Sequence, residues 1–285
     1  MHRFARKGSC GRCYAAPVRI ASLVVVLVAC GGGDDAMPVD AGPCIDSTHD
    51  EDGDGIGDGC DVCPAAPDPR QLDTTEAATM LAFPDRVGDA CDPRPSLSGD
   101  KLGAFHPFVD AVRASDWLGS GWTIENDRAR ASDVARWVSK TREAGDGVYV
   151  QARIAQLAWL AGGAFDLAVD GDGVDTGLVC AITRDRDGDG NDELEAREVN
   201  GAVTTKSTPM PITGAITLTA WRVIDVQRRG TLRCRLTFEG GGAVLELPTT
   251  DDAAVGIYGF AQQAATTEVT SIVVYTSPVL PQGTN

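Results

Sequence analysis

Residues 50 to 64, DEDGDGIGDGCDVCP, carry six carboxylates, four glycines and two cysteines. Counted from Asp50, positions 1, 3, 5, 7, 9 and 12 are Asp50, Asp52, Asp54, Ile56, Asp58 and Asp61, with Gly55 at position 6. This spacing suits Ca²⁺, which takes six to eight hard oxygens. Carboxylates fill the polar positions, position 7 offers its backbone carbonyl, and glycine at 6 permits the sharp turn. Carboxylates crowded this closely repel one another unless a cation sits among them. Ca²⁺ is therefore the expected cofactor, standing in for the apolar core that the stretch lacks. A second acid-rich loop, DRDGDGND, puts Asp185, Asp187, Asp189 and Glu193 at positions 1, 3, 5 and 9 and Gly190 at 6, but Ala196 at 12. It is a further candidate calcium loop, whereas VDGDGVD (Asp170, Asp172, Asp175) reads as an ordinary Asp-Gly turn.

The rest of the chain must hold these loops in place and in the right compartment. At 285 residues with 43% hydrophobic side chains, it can build one sizeable core. The formal charge is −16, yet residues 1 to 29 carry five basic and no acidic side chains, which leaves 20 basic against 41 acidic in residues 30 to 285. A surface that acidic repels nucleic acid, so no nucleic-acid partner is expected. The basic start runs into IASLVVVLVA, which has the length of a signal-peptide core and is too short for a permanent span. It ends in LVAC, Leu27 to Cys30, followed by GGGDDA.

That ending resembles a bacterial lipobox. The resemblance implies a signal peptide over 1–29, acylation of Cys30, a flexible tether over 30–43 and a membrane partner reached through the lipid. With Gly31 after the cysteine, the implied destination is the outer membrane of a Gram-negative cell, facing the periplasm or the surface. Cys10 and Cys13 leave with the signal peptide and Cys30 takes the lipid. The remaining six, Cys44, Cys60, Cys63, Cys91, Cys180 and Cys234, read as three disulfides in an oxidising compartment.

The combination DxDxDGxGDxCDxCP resembles the thrombospondin type 3 calcium repeat over 44–95. In that family, loops and disulfides wrap calcium with little regular structure. The resemblance implies pairing of Cys44 with Cys60 and of Cys63 with Cys91. A second, worn repeat, FPDRVGDACDPRP, keeps Asp85, Asp89 and Asp92 as weaker ligands, but Leu81, Phe83 and Arg86 stand where Asp, Asp and Gly belong. The intervening QLDTTEAATMLA resembles an insertion from which Asp73 or Glu76 can supply oxygens.

From Lys101 the pattern changes. VYVQARIAQL alternates Val148, Val150, Ala152 and Ile154 with polar residues, and ITLTAWRVI, TLRCRLTF, AVLEL and EVTSIVVY follow at short intervals. Only HPFVDAVRA has any helical character. The expected fold class is mainly β, an antiparallel sandwich over 101–278 with a tail over 279–285. SGWTIENDRARASD, VYVQARIAQL and VGIYGFAQQAATTEVTSIVVYTSP resemble the concanavalin A-like lectin/glucanase jelly roll, in which the last strand returns beside the first. Cys180 and Cys234 fall on strands and can pair across the sheet.

ELEARE gives Glu193, Glu195 and Glu198 an ExExxE spacing close to the ExDxxE strand of laminarinase-like glycoside hydrolases, whose first and last glutamates act as nucleophile and acid/base. Residues five apart share a strand face only across a bulge. Glu replaces the central Asp, and no aromatic cluster lies beside the motif. The mature chain has only His49 and His106, with no GxSxG, HExxH or Walker loop. Trp117, Trp122, Trp137, Trp159 and Trp221 can each stack on a sugar or fill a core. The principal expectation is a non-enzymatic, calcium-binding surface lipoprotein that recognises carbohydrate or another surface ligand. A glycoside hydrolase using Glu193 and Glu198, or a structural protein-adhesion module, is the alternative.

Overall fold

A computed structural model of the chain describes residues 18–20, 23–25, 48–76, 84–171, 177–185, 188–199, 204–224, 230–250 and 256–278. Two units are present, 1–44 and 45–285. In the first, β1 (Val18–Ile20), at the edge of the apolar run, pairs antiparallel with β2 (Leu23–Val25) inside it. Cys30, the tether and Cys44 lie outside the described residues, as do Asp172, Asp175, Asp187 and the 279–285 tail.

The second unit is an antiparallel sandwich whose two sheets share two long strands, β7 (Gly147–Val169) and β14 (Tyr258–Ser277). Residues 147–154 of β7 pair with β11 (Ile216–Ile224), which continues to β12 (Gly230–Phe238) and β13 (Gly241–Thr249). Residues 271–276 of β14 pair with β3 (Lys101–Pro107). These make the first sheet, in the order β3-β14-β7-β11-β12-β13. The last strand thus lies beside the first of the sandwich, as the jelly-roll resemblance implies.

Residues 164–169 of β7 pair instead with β8 (Gly177–Arg184), and beyond it lie β9 (Asp192–Val199) and β10 (Thr204–Met210). The first part of β14 pairs with β6 (Ala129–Ser139), which carries β4 (Trp117–Ser120) and β5 (Thr123–Ile124). Both shared strands change sheet at irregularities. Ala264 has φ 48°, and a Cβ on Gly163 would lie 2.5 Å from its carbonyl oxygen, so a glycine is required at that crossing.

Alternation decides which face is core. Val148, Val150, Ala152 and Ile154 are at most 1% exposed and meet Leu218, Leu232 and Leu236. From the other sheet come Leu178, Ile182 and Leu194. Cys180 on β8 is bonded to Cys234 on β12, so this disulfide joins the two sheets through the core. Trp117, Trp122 and Trp137 cluster with Phe108 and Phe260 and are core tryptophans; Trp159 packs half-buried against it. Arg222 also faces inward, where burial is tolerated because Asp170 pairs with it and Gly145 O accepts from Nη2 at 3.1 Å. HPFVDAVRA yields only a 3-10 turn over Ala111–Asp116, capped by Asp110, whose carboxylate accepts from Val112 N at 3.0 Å.

Candidate functional site

The acidic segment has almost no regular structure, and its carboxylates take up the backbone donors that strands or helices would otherwise satisfy. Asp50 accepts from Gly53 N at 2.8 Å and Gly55 N at 2.9 Å, and Asp54 accepts from Ile56 N at 2.8 Å. Gly55 has φ 94°, the conformation expected of position 6. Carboxylate oxygens of Asp50, Asp52 and Asp54 lie within 4.8 Å of one another. Burial, with repulsion from Asp61, Asp54 and Asp50, raises Asp52 to about 6, while bonds from Gly55 and its neighbours hold Asp50 low. Asp58 is engaged by His49 Nδ1 at 2.6 Å and Glu51 N at 2.9 Å. Asp61, raised by burial, accepts from Cys63 N at 2.7 Å and Gln71 Nε2 at 2.9 Å. The structure thus gathers the first three positions of the loop and gives Asp58 and Asp61 protein donors.

Asp73 and Glu76 bring further oxygens to the carboxylates of 85–92. Glu76, fully buried, brings an oxygen within 4.8 Å of Asp73 and Asp89 and likewise of Asp85 and Asp92. Desolvation and the nearness of Asp100 and Glu76 push Asp92 up to about 9, so these groups do not all ionise together without a cation. Asp89 is held low despite burial by bonds from Thr75 and Thr74. The DRDGDGND loop differs: Asp185 accepts from Gly190 N at 2.6 Å and Asp189 from Asn191 N at 2.8 Å, closing a turn. Among the described residues, Asp185, Asp189 and Glu193 do not converge.

This segment lies on the sandwich rather than standing off from it. Ala65 and Val87 pack against Val273, Tyr275, Phe105 and Tyr149 on the outer face of the first sheet. The Cys63–Cys91 disulfide closes the segment on itself, and Arg153 reaches Glu51 at 4.0 Å. Cys60 is half-buried, and its implied partner Cys44 is outside the described residues.

Because the segment covers only the β3-β14-β7 side, a groove of about 380 Å³ remains over β7, β11 and β12. Ala66, Ala90, Cys91, Asp92 and Pro93 form its wall. Its floor comes from strand register: one row runs Glu246–Arg233–Trp221–Tyr149–Tyr275 across five strands, and the next runs Val244–Arg235–Thr219–Gln151–Val273. Tyr149 meets Trp221 edge-on at 6.1 Å, and the Arg233 guanidinium lies 5.8 Å from the Trp221 ring centre. An aromatic plate ringed by hydroxyls, an amide and guanidinium groups can bind a ligand with apolar faces and many polar edges.

The ExExxE strand is elsewhere, and the catalytic pairing of Glu193 with Glu198 does not form. β9 pairs with β8 and β10 in unbroken register, so no bulge brings residues five apart onto one face. Glu193 and Glu195, 3% and 2% exposed, share the Thr183 hydroxyl at 3.0 and 3.4 Å on the outer face of the second sheet. Glu198 lies on the face of Leu194 and Ala196 and accepts from Thr250 N at 3.0 Å and Thr250 Oγ1 at 2.6 Å.

Neither a protein-family model nor a curated protein sequence matches the chain. Among solved structures it is similar to the Bacteroides ovatus xyloglucan-locus protein GH43B, with 14% identity over 63% of this chain and a TM-score of 0.47; the chain spans 40% of that protein. A legume lectin-like domain from Entamoeba histolytica is similar over 57% of this chain and 91% of its own, with 8% identity and a TM-score of 0.46. SCLam, a non-specific endo-beta-1,3(4)-glucanase from family GH16, is similar over 62% and 91%, with 12% identity and a TM-score of 0.44. At these scores the likenesses carry no functional weight.

The candidate binding residues that sequence reasoning missed are the groove's: Tyr149, Gln151, Thr219, Arg233 and Arg235. Their outward placement is implicit in the same alternation that turns Val150 and Leu218 into the core. Their convergence depended on a register between distant strands that no local pattern announces.

Proposed function

We propose that this protein is a calcium-stabilised recognition module whose groove over Trp221 binds carbohydrate without cleaving it, presented from the outer membrane by a lipid on Cys30. The observation that carries the reading is the groove's composition. It holds an aromatic plate and a polar ring. Of the carboxylates among the described residues, Asp92 on the wall is gathered with Glu76 and Asp85, while Glu246 at the end of the floor row is paired with Arg233, so the two are not arranged as the flanking pair that glycoside cleavage needs. Calcium belongs to the acidic segment, at Asp50, Asp52 and Asp54 and around Glu76. There it would neutralise carboxylates that otherwise repel and would fix the wall of the groove.

The test is a glycan-array and polysaccharide screen of the mature, oxidised, unlipidated chain, with calcium and with chelator, following both retention and released reducing ends. Retention without release, lost in Trp221→Ala, is the expected result. Released reducing ends would replace this reading with an enzymatic one. Absence of retention on every glycan, with surface proteins captured instead, would assign the groove to protein adhesion.

A further inference from the structure

The charges on the groove floor are not balanced evenly. Arg153 lies 4.0 Å from Glu51, and Arg233 pairs with Glu246 at 2.9 Å across the β12-β13 register. Arg235 lies two residues along β12 on the same face and is exposed, and its guanidinium makes neither a hydrogen bond nor an ion pair with any described residue. The one carboxylate on the wall, Asp92, turns an oxygen toward Glu76 and Asp85. A chain of net charge −16 thus places an unmatched guanidinium beside an aromatic plate. A guanidinium is a planar fork of donors that fits two oxygens of one anionic group and stays protonated throughout the physiological range.

We propose that the ligand of this groove is an anionic saccharide, one bearing a carboxylate or a sulfate. Its ring packs on Trp221 while its anionic group is held by Arg235, with Thr219 and Gln151 in the same row to meet its hydroxyls. This rests on the reading of the groove as a carbohydrate site and specifies the chemistry of what it takes. The acidic surface beyond the groove opposes long-range attraction of a polyanion. Preference must therefore arise at short range, within about 8 Å at physiological salt, where Arg235 sits.

The test uses the mature, oxidised chain at one fixed calcium concentration and two matched pairs of probes. One pair is an oligogalacturonide and its carboxyl-reduced counterpart; the other is a sulfated galactan oligosaccharide and its desulfated form. Calorimetry should show the anionic member of at least one pair bound about tenfold or more tighter than its neutral twin, the usual scale for one charge-assisted contact. Whichever pair shows the preference identifies carboxylate or sulfate as the group recognised. Arg235→Gln should erase the preference, Arg235→Lys should keep part of it, and Trp221→Ala should weaken both members.

Equal binding of charged and neutral members would overturn the proposal while leaving the carbohydrate reading intact. A preference that survives Arg235→Gln would also overturn it, since calcium bridging to the acidic surface would then be the cause. No binding by any probe, with Trp221→Ala indistinguishable from the parent, would sink the carbohydrate reading and this inference together.

Discussion

The Cys63–Cys91 disulfide should hold the groove's wall in place without holding the sandwich together. The two cysteines are 28 residues apart, Cys63 is fully buried, and Gly88 packs so closely that an added Cβ would lie 2.7 Å from Cys63 Sγ. Releasing a loop of that length returns about 3.6 kcal/mol of chain entropy to the open state on the loop-closure model. The apolar anchor beneath it is small: chiefly Val87, fully buried, and Ala65 against Val273 and Tyr275. Burying a valine contributes roughly 1.5–3 kcal/mol, so the bridge and the anchor are of comparable size.

In Cys63→Ala/Cys91→Ala, therefore, the open form of residues 48–100 should rise a few hundredfold, at 1.4 kcal/mol for each factor of ten. Limited proteolysis read by mass spectrometry should find cuts in the segment at protease levels that spare the parent protein. Saccharide affinity should fall, since Cys91, Asp92 and Pro93 form the wall. Fluorescence from the Trp117, Trp122 and Trp137 cluster should keep its native spectrum, because those rings belong to the β4-β6 side of the core. Unchanged protection of the segment would refute the reasoning. So would simultaneous loss of the core signal, which would make segment and sandwich one cooperative unit.

Other expectations follow from the same geometry. Cys180→Ala/Cys234→Ala opens a 54-residue separation between two buried cysteines, and the loop-closure model puts the loss at about 4 kcal/mol; a lowered urea midpoint of the whole sandwich checks it. His106, lowered to about 4 by burial and bonded to the Tyr258 hydroxyl at 2.7 Å, binds its proton more weakly folded than unfolded. Its contribution is therefore present above pH 6.5 and lost as pH falls through 4, on the order of 3 kcal/mol, and that part of the urea-stability profile should vanish in His106→Gln. Calcium should raise Tm, and Asp52→Asn/Asp54→Asn should shrink that rise, because it removes two of the three converging carboxylates. Glu193→Gln and Glu198→Gln should each leave saccharide affinity unchanged, as neither faces the groove; a loss in either would tie the ExExxE strand to the ligand.

How legible each part was depends on whether its signal is local. Strand alternation in 148–154 announced a core face because every second side chain is apolar, and the sandwich follows from several such stretches. The disulfide between Cys63 and Cys91 was implied by family spacing, and Glu76 was a candidate oxygen because it sits in the insertion. The separation of Glu193 from Glu198 was also present in the parity of the strand, since only a bulge could have joined them and β9 has none. What no local pattern carried was the docking of the acidic segment. With Val87 and Ala65 as its chief apolar contacts, nothing in its composition advertises a binding face. The physical consequence links the two halves of the protein. A segment this acidic can lie against the sheet only if its mutual repulsion is relieved, and Asp92 is at once a wall of the groove and part of the carboxylate group around Glu76. A cation there would set the wall's position, so ligand affinity and calcium occupancy should rise and fall together, each raising the other by the same factor.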